Sequence, residues 1–403
     1  MLELDFVQTL AFAGIALMLG EGLRRAVPVF ARYNLPAPVL GGLIVALAVL
    51  IAHAQGVTLL KFDTTLQSPL MIAFFTTIGF AASLSLLKIG GPQVLRFFLL
   101  ATAFAIAQNV VGILLALGFG LHPLFGVLAG SVTLTGGPAT GLAFAPLFEE
   151  AGVVGASSVA IAVAIGGIVA GGLVGGPAGT LLIERGRIPT PRRGSSRIEV
   201  AIVKTEIETP VNAATDDDDA WPIVRNLVAI LVAMWIGAWV SKGFAALGMT
   251  LPAYIGAMLV AAAIRNVDDL TGWFGLSHGF INTFGIVALT LFLVMALMTL
   301  KLWELAGLVL PLVAILLVQV ALAALVAVPV FRLMGRNYEA AVMSGGFIGF
   351  MLGTTANAMA VMRALAERYG PAPRAFLVAP IVGAFFIDFT NAIIITLFLN
   401  LLT

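Results

Sequence analysis

Two short stretches of an otherwise apolar chain carry the residues best suited to holding a small polar solute. They are Thr135-Gly136-Gly137-Pro138-Ala139-Thr140 and Gly353-Thr354-Thr355-Ala356-Asn357. Glycine and proline interrupt a helix and leave main-chain groups at the break without intrahelical partners. The N–H groups at a half-helix start suit a carboxylate. The carbonyls at the preceding half-helix end suit a hard cation such as Na⁺. Threonine and asparagine add neutral hydrogen-bonding groups. The substrate-contact candidates are therefore Thr135, Gly136, Gly137, Thr140, Gly353, Thr354, Thr355 and Asn357. The competing reading is a pair of ordinary spans with glycine packing seams.

Asp388 is the sharpest single residue. It lies mid-way along the last apolar segment, in Gly-Ala-Phe-Phe-Ile-Asp-Phe-Thr-Asn-Ala, where an ionisable group is costly and usually functional. Asn391 follows three residues later on the same helical face. Thr76 and Thr77 place hydroxyls mid-span, although such hydroxyls often bond their own backbone. Asp388, Asn391, Thr76 and Thr77 form the candidate Na⁺ set; the alternative for Asp388 is a proton site or a neutral structural hydrogen bond. Gln108, Asn109 and Gln319 read as amides bonding between helices. Gly167 with Gly171, and Gly172 with Gly176, have the spacing of close helix packing.

Little else could do chemistry. There is no cysteine, and His53, His122 and His278 stand apart near segment ends. No HExxH, CxxC, Walker or GxSxG pattern occurs, which argues against an enzyme and against any cofactor. A net charge of +1 offers no case for nucleic acid.

The elements that must position these residues are membrane spans. Of the 403 residues 61% are hydrophobic and 10% charged, and the mean hydropathy is +1.09. A soluble domain is about a quarter charged, and several segments here are long enough to cross roughly 30 Å of hydrocarbon. The fold class is all-α integral membrane. Apolar segments fall at 6–23, 36–54, 68–87, 95–120, 122–150, 154–183, 222–246, 251–264, 281–300, 304–331, 338–366 and 375–402. The first lacks a basic leader region and reads as a span rather than a signal peptide. A polar stretch at 184–221 reads as a linker between membrane halves at 1–183 and 222–403, with a small ordered hairpin at Ile198 to Ile207 as the alternative.

The halves look related. Leu-Pro-Ala-Pro begins at Leu35 and Leu-Pro-Ala-Tyr at Leu251, 216 positions later; Leu87-Lys88 matches Leu300-Lys301, 213 later; and the two glycine breaks correspond about 217 apart. Charge then separates two topologies. If 122–150 and 338–366 are re-entrant hairpins, each half has five spans and both termini face outward. Of the 21 basic residues, 18 then lie on the cytoplasmic side, leaving Lys61, Lys242 and Lys301 outside. If both are full spans, the split is 10 against 11. The expectation is therefore ten transmembrane helices in two inverted five-helix repeats, each with a re-entrant helical hairpin.

The stretches PAPVLGGLIVAL, PLMIAFFTTIGF, LAGSVTLTGGPATG, LKLWELAGLVLP, GRNYEAAVMSGG and FLVAPIVGAFFIDFTNA resemble the bacterial sodium/glutamate symporters over nearly the whole chain except the linker. The resemblance implies Na⁺-coupled uptake of glutamate across the bacterial inner membrane. It implies opposed re-entrant loops at the translocation site, a homodimer and elevator-like movement of a transport domain. It implies no cofactor, Na⁺ being co-transported. One departure concerns the first loop, which in the family reads Gly-Gly-His-Gly-Thr and here reads Gly136-Gly137-Pro138-Ala139-Thr140. The family role carries to Gly136, Gly137 and Thr140 and not to Pro138 or Ala139, so substrate identity stays open. Transport of another small carboxylate or amino acid, proton coupling through Asp388, and a passive channel are the remaining readings.

Overall fold

A computed structural model describes residues 2–57, 60–191, 221–246 and 252–403. The expected linker lies outside the described residues between 192 and 220. The first half comprises α1 (Phe6–Ala26), α2 (Pro28–Arg32), α3 (Ala37–Ala54), α4 (Gln67–Phe80), α5 (Leu84–Gly118), α6 (Pro123–Val127), α7 (Gly137–Glu150) and α8 (Ala156–Arg185). The second comprises α9 (Trp221–Ala246), α10 (Ala253–Thr271), α11 (His278–Met298), α12 (Val309–Leu333), α13 (Tyr338–Gly353), α14 (Thr355–Tyr369), α15 (Pro373–Ile381) and α16 (Ile387–Leu402). One small parallel bridge joins β1 (Leu2–Glu3) to β2 (Leu60–Lys61). Among the described residues seven helices are long and apolar enough to cross a bilayer: α1, α3, α5 from Gly91 onward, α8, α9, α11 and α12.

Local chemistry sets the ends. Asp5 and Gln8 form a reciprocal capping box on α1. Asn337 Oδ1 accepts from the Ala340 N–H at 2.9 Å and starts α13. The Asp268 carboxylate accepts from the N–H groups of Phe274, Gly275 and Leu276 and closes the turn from α10 to α11. One expected boundary is corrected. The span placed at 68–87 stops at Phe80, and Leu87-Lys88 belong to the start of α5, which bends at Gly91 (φ 59°) ahead of Pro92. An extended Ser83 ends the continuity, and the Ser83 hydroxyl donates to Asp269 Oδ2 at 2.6 Å.

The long helices form two bundles. In one, α1, α3, α4, α9, α10 and α11 pack together; in the other, α5 to α8 pack with α12 to α16. The closest crossings are made by small residues. Gly20 and Gly41 bring α1 against α3, and Gly237 and Gly256 bring α9 against α10. The small residues remove side-chain bulk where backbones touch.

Element directions follow from pairs. On α8, Gly167, Gly171, Gly175 and Gly179 meet Leu352, Gly349, Gly345 and Ala341 of α13 in turn, so these helices are antiparallel. The glycine seam is thus real for Gly167 and Gly171. Its continuation is Gly175 and Gly179, not Gly172 and Gly176: Gly172 faces Asn357, and Gly176 has nothing within 4 Å. Then α14 folds back along α13, with Gly349 against Ala358, Gly346 against Met362 and Gly345 against Leu365. Its base is clamped at the Arg185 end of α8. Arg368 and the Tyr369 hydroxyl both donate to Glu184, at 2.9 and 2.7 Å, and the Tyr338 hydroxyl donates to the Gly370 carbonyl. Both ends of the α13–α14 hairpin therefore lie at the linker end of α8, and its tip lies beside Gly167.

The first broken stretch does the reverse. It runs antiparallel to α5, with Gly126 against Gly112 and Gly130 against Asn109. It turns at Thr133 to Gly136, and α7 then leads to Glu149, whose carboxylate accepts from Ser157 at the start of α8. Both of its ends lie at the end of α8 opposite the linker. The two tips touch: a side chain on Gly137 would meet the Thr354 methyl.

Candidate functional site

A cavity of about 480 Å³ lies where the touching tips face the other bundle. The first tip contributes Thr135, Gly136 and Thr140, the second Gly353, Thr354, Thr355 and Asn357, and the last helix Asp388. Gly137 sits immediately behind, against Thr354. The opposite wall is apolar and aromatic, with Phe74 and Phe75 of α4 and Leu289 and Leu293 of α11. An apolar wall with a few converging polar groups is the usual make-up of a small-solute site.

Each tip is built for exposed main chain. In the first, Gly137 takes φ 71°, which an L side chain rarely adopts, and begins α7 with no side-chain cap. Pro138 occupies the first turn, where its missing N–H breaks no helical bond. It does remove one donor that a ligand could have used. In the second, Thr354 takes φ 87° and ψ 168°, a region costing a non-glycine residue about 1–3 kcal/mol. It starts α14, also without a side-chain cap. Two uncapped helix starts thus open at one cavity, each a partial positive charge.

Buried amides hold the tips in register. Gln108 Nε2 donates to the Met351 carbonyl at 2.9 Å, and Gln108 Oε1 accepts from the Thr135 hydroxyl at 2.6 Å. The Gln108 carbonyl in turn accepts from Gln319 Nε2 at 2.7 Å. One side chain therefore bridges both hairpins. It also occupies the Thr135 hydroxyl proton, so Thr135 offers the cavity little beyond its oxygen. Asn357 Nδ2 donates to the Ile168 carbonyl at 3.0 Å, while its Oδ1 is buried with no hydrogen-bond partner.

The candidate cation residues separate into three places. Asp388 lines the cavity, in the first turn of α16 and directly after a π-helical turn at Val382–Phe386. Such turns widen a helix and frequently mark functional sites. Asn391 is fully buried behind the first tip, where its Nδ2 donates to the Ser131 carbonyl at 2.9 Å. Its Oδ1 and the Ser131 hydroxyl are both buried without partners. Ser131 also lies in a π-helical turn, Leu128–Val132. Thr76 and Thr77 are not brought to either place. Their hydroxyls donate to the Ile72 and Phe74 carbonyls of their own helix, both at 2.7 Å, and the Thr77 side chain packs on Gly285.

Sequence reasoning missed Arg24, Asn34 and Thr290, which also line the cavity. Arg24 and Asn34 flank the α1–α3 turn and carried no glycine break to flag them. The histidines hold element ends: His53 stacks on Trp303 with centroids 3.9 Å apart, and His122 Nδ1 accepts from the Leu124 N–H.

Comparison with known proteins adds independent support. A model of the sodium/glutamate symporter family matches residues 2–371. A sodium/glutamate symporter from Escherichia coli (strain K12) is 40% identical over 403 residues, covering 100% of this chain and 99% of that one. One from Haemophilus influenzae is 38% identical over 387 residues, covering 96% and 95%. A solved sodium proton antiporter from Methanocaldococcus jannaschii aligns with 99% of this chain and 98% of its own, at 14% identity and a TM-score of 0.45, too slight a likeness to assign a fold. With the family model spanning most of its length and relatives matched end to end, the chain belongs to the sodium/glutamate symporter family.

Proposed function

We propose that this protein is a secondary active transporter that carries glutamate into the bacterial cell together with Na⁺. The observation that carries the reading is the meeting of two uncapped half-helix starts at one cavity that also holds Asp388. The two helix starts receive the substrate carboxylates, at Gly136 to Thr140 and at Gly353 to Asn357. Asp388 serves a cation within the cavity. A second cation place lies at Asn391, where its Oδ1 and the Ser131 hydroxyl supply two unused oxygens. Neutral oxygens of this kind suit Na⁺. Binding anion and cations together lowers the net charge that must cross a low-dielectric region.

In this reading the chain has ten spans in two inverted five-helix repeats, at 1–183 and 222–403, joined by a cytoplasmic linker. The hairpins enter the membrane from opposite faces. Support comes from the hairpin bases at opposite ends of α8 and from the charge tally, which puts both termini outside. Gly137 and Thr354, one on each hairpin tip, meet. The hairpin-bearing bundle moves elevator-like against the other, the cavity lying on the boundary between them. A homodimer in the bacterial inner membrane completes the picture, as implied by the family resemblance.

The test is uptake into proteoliposomes under an imposed Na⁺ gradient with a panel of labelled acids. Saturable glutamate uptake that collapses with the gradient is expected. Preference for a different acid would move the substrate assignment, which Pro138 makes a live question. Uptake driven by pH and indifferent to Na⁺ would replace Na⁺ with H⁺, and flux with neither saturation nor counterflow would make the protein a channel. Asp388→Asn is expected to weaken Na⁺ dependence; unchanged Na⁺ affinity removes it from the site.

A further inference from the structure

Among the described residues lining the cavity, Arg24 is the one basic side chain and Asp388 the one acidic one. Arg24 belongs to the last turn of α1, in the bundle that faces the hairpin tips. Its Nε is buried with no hydrogen-bond partner, while the rest of the guanidinium is partly open, the side chain being 39% exposed. Its nearest anion, Glu21 on its own helix, stands at 3.9 Å, a loose contact that leaves most of the donor fork free. A buried, unspent arginine donor beside a cavity is an open demand for an acceptor.

The position along the fold gives this demand a direction. Ala37 at the start of α3 packs on Gly20, whereas His53 near its end stacks on Trp303. Trp303 adjoins Lys301, whose carbonyl accepts from Ser158 at the first turn of α8. The α1–α3 turn is therefore at the linker-side end of its bundle. The cavity lining includes Arg24, Asn34 and Pro36 from that end and none of His53, Ser158 or Trp303 from the other. The cavity extends from the tips toward the linker face.

We propose that Arg24 is the substrate-carboxylate receptor of the cytoplasmic mouth: it engages the anion only when the site faces the linker side and so governs substrate affinity from that side. The proposal rests on the symport reading above. The helix starts of the hairpins travel with the substrate, but Arg24 is carried by the opposite bundle and stays behind. A planar fork of five donors matches a carboxylate, which an ammonium group cannot reproduce.

The experiment compares right-side-out and inside-out membrane vesicles containing the full chain, using labelled glutamate with Na⁺. For Arg24→Gln, half-saturation from the linker face is expected to rise roughly fivefold to tenfold, as for loss of one charge-assisted contact. From the external face it is expected to change by less than about twofold, and Arg24→Lys to fall between. Equal changes on both faces, or no change on the linker face, would overturn the proposal. Loss of all transport by Arg24→Gln is resolved in this cysteine-free chain by Arg24→Cys. Modification with a cationic aminoethyl thiosulfonate should restore part of the linker-face affinity, as for Arg24→Lys, and the anionic sulfonatoethyl reagent should depress it further. Identical responses to the two reagents would sink the idea. Wild-type vesicles that move no glutamate with Na⁺ refute the symport reading itself, whereas active wild type with an indifferent Arg24→Gln refutes only the role of Arg24.

Discussion

The two hairpin tips meet at Gly137 and Thr354, residues with the same sense of backbone bend but opposite ways of tolerating it. At the first tip φ is 71° and the residue is glycine, which carries no penalty there. At the second φ is 87° and the residue is threonine, which stores strain. The first tip gives up polar groups: Pro138 lacks an N–H, and the Thr135 hydroxyl is engaged by Gln108. The second keeps them: Thr354, Thr355 and Asn357 line the cavity, and Asn357 Oδ1, buried over Gly172, has no hydrogen-bond partner. The relaxed tip serves as the surface against which the strained, better-equipped tip is set. In the proposed symport reading, substrate recognition would rest more heavily on the second hairpin.

The harshest way to break this arrangement is Gly137→Ala. The added methyl must share space with the Thr354 methyl, and the positive φ costs roughly 1–2 kcal/mol besides. Uptake should fall at least about tenfold if that strain and clash displace the tips by the equivalent of 1.4 kcal/mol or more. Initial rates on protein matched by gel filtration measure it. The clash has a named partner, so Thr354→Ala in the same chain should recover part of the loss; no recovery would mean the tips do not bear on one another.

Gln108→Leu comes next, because it cuts the one side chain that bridges both tips. The Thr135 hydroxyl and the Met351 carbonyl would be left buried, at about 1–3 kcal/mol for each group without a partner. A lower midpoint of thermal unfolding in detergent is expected, together with weaker substrate affinity. An unchanged midpoint would show that the hairpins do not depend on that bridge.

The sequence made the breaks legible because glycine, proline and threonine clusters are rare inside long apolar runs, and the positive residues then sided with hairpins over spans. It could not show that the Thr135 proton is already taken, since Gln108 is 27 positions away, nor that Thr76 and Thr77 bond their own helix. The end of α4 is hard to read from sequence because Ala81 to Leu87 carries no charge and only the small hydroxyls of Ser83 and Ser85; the bend at Gly91 and the Ser83 turn depend on tertiary packing. In the sequence Arg24 is one more basic residue among those on the expected cytoplasmic side; only the packing of the bundles shows that it borders the cavity.

Thr354→Gly tests the strained side. Removing the side chain relieves about 1–3 kcal/mol of backbone strain, so the protein should unfold at higher temperature. Substrate affinity should nevertheless weaken, because the tip loses both its hydroxyl and the fixed geometry that presents Thr355 and Asn357. A variant both more stable and equally avid would mean the strain has no part in binding.

The smallest effect is expected at Pro138, and it sharpens the comparison most directly. Pro138→Ala restores an N–H at the first turn of α7 without changing the turn itself, since alanine accepts the same helical φ. If a carboxylate lies against that helix start, one added donor should tighten substrate binding by about 1 kcal/mol, or roughly fivefold. If recognition belongs to the second hairpin alone, affinity should not move. The acid that gains most from the restored donor is also the one whose carboxylate reaches the first tip, so repeating the measurement across a panel of chain lengths gauges the span between the two helix starts. A gain confined to five-carbon diacids would place both carboxylates of glutamate on the two tips. A gain common to monocarboxylates would instead mean that the first tip holds an α-carboxylate, leaving the distal carboxylate to the groups around Thr354 and Asn357.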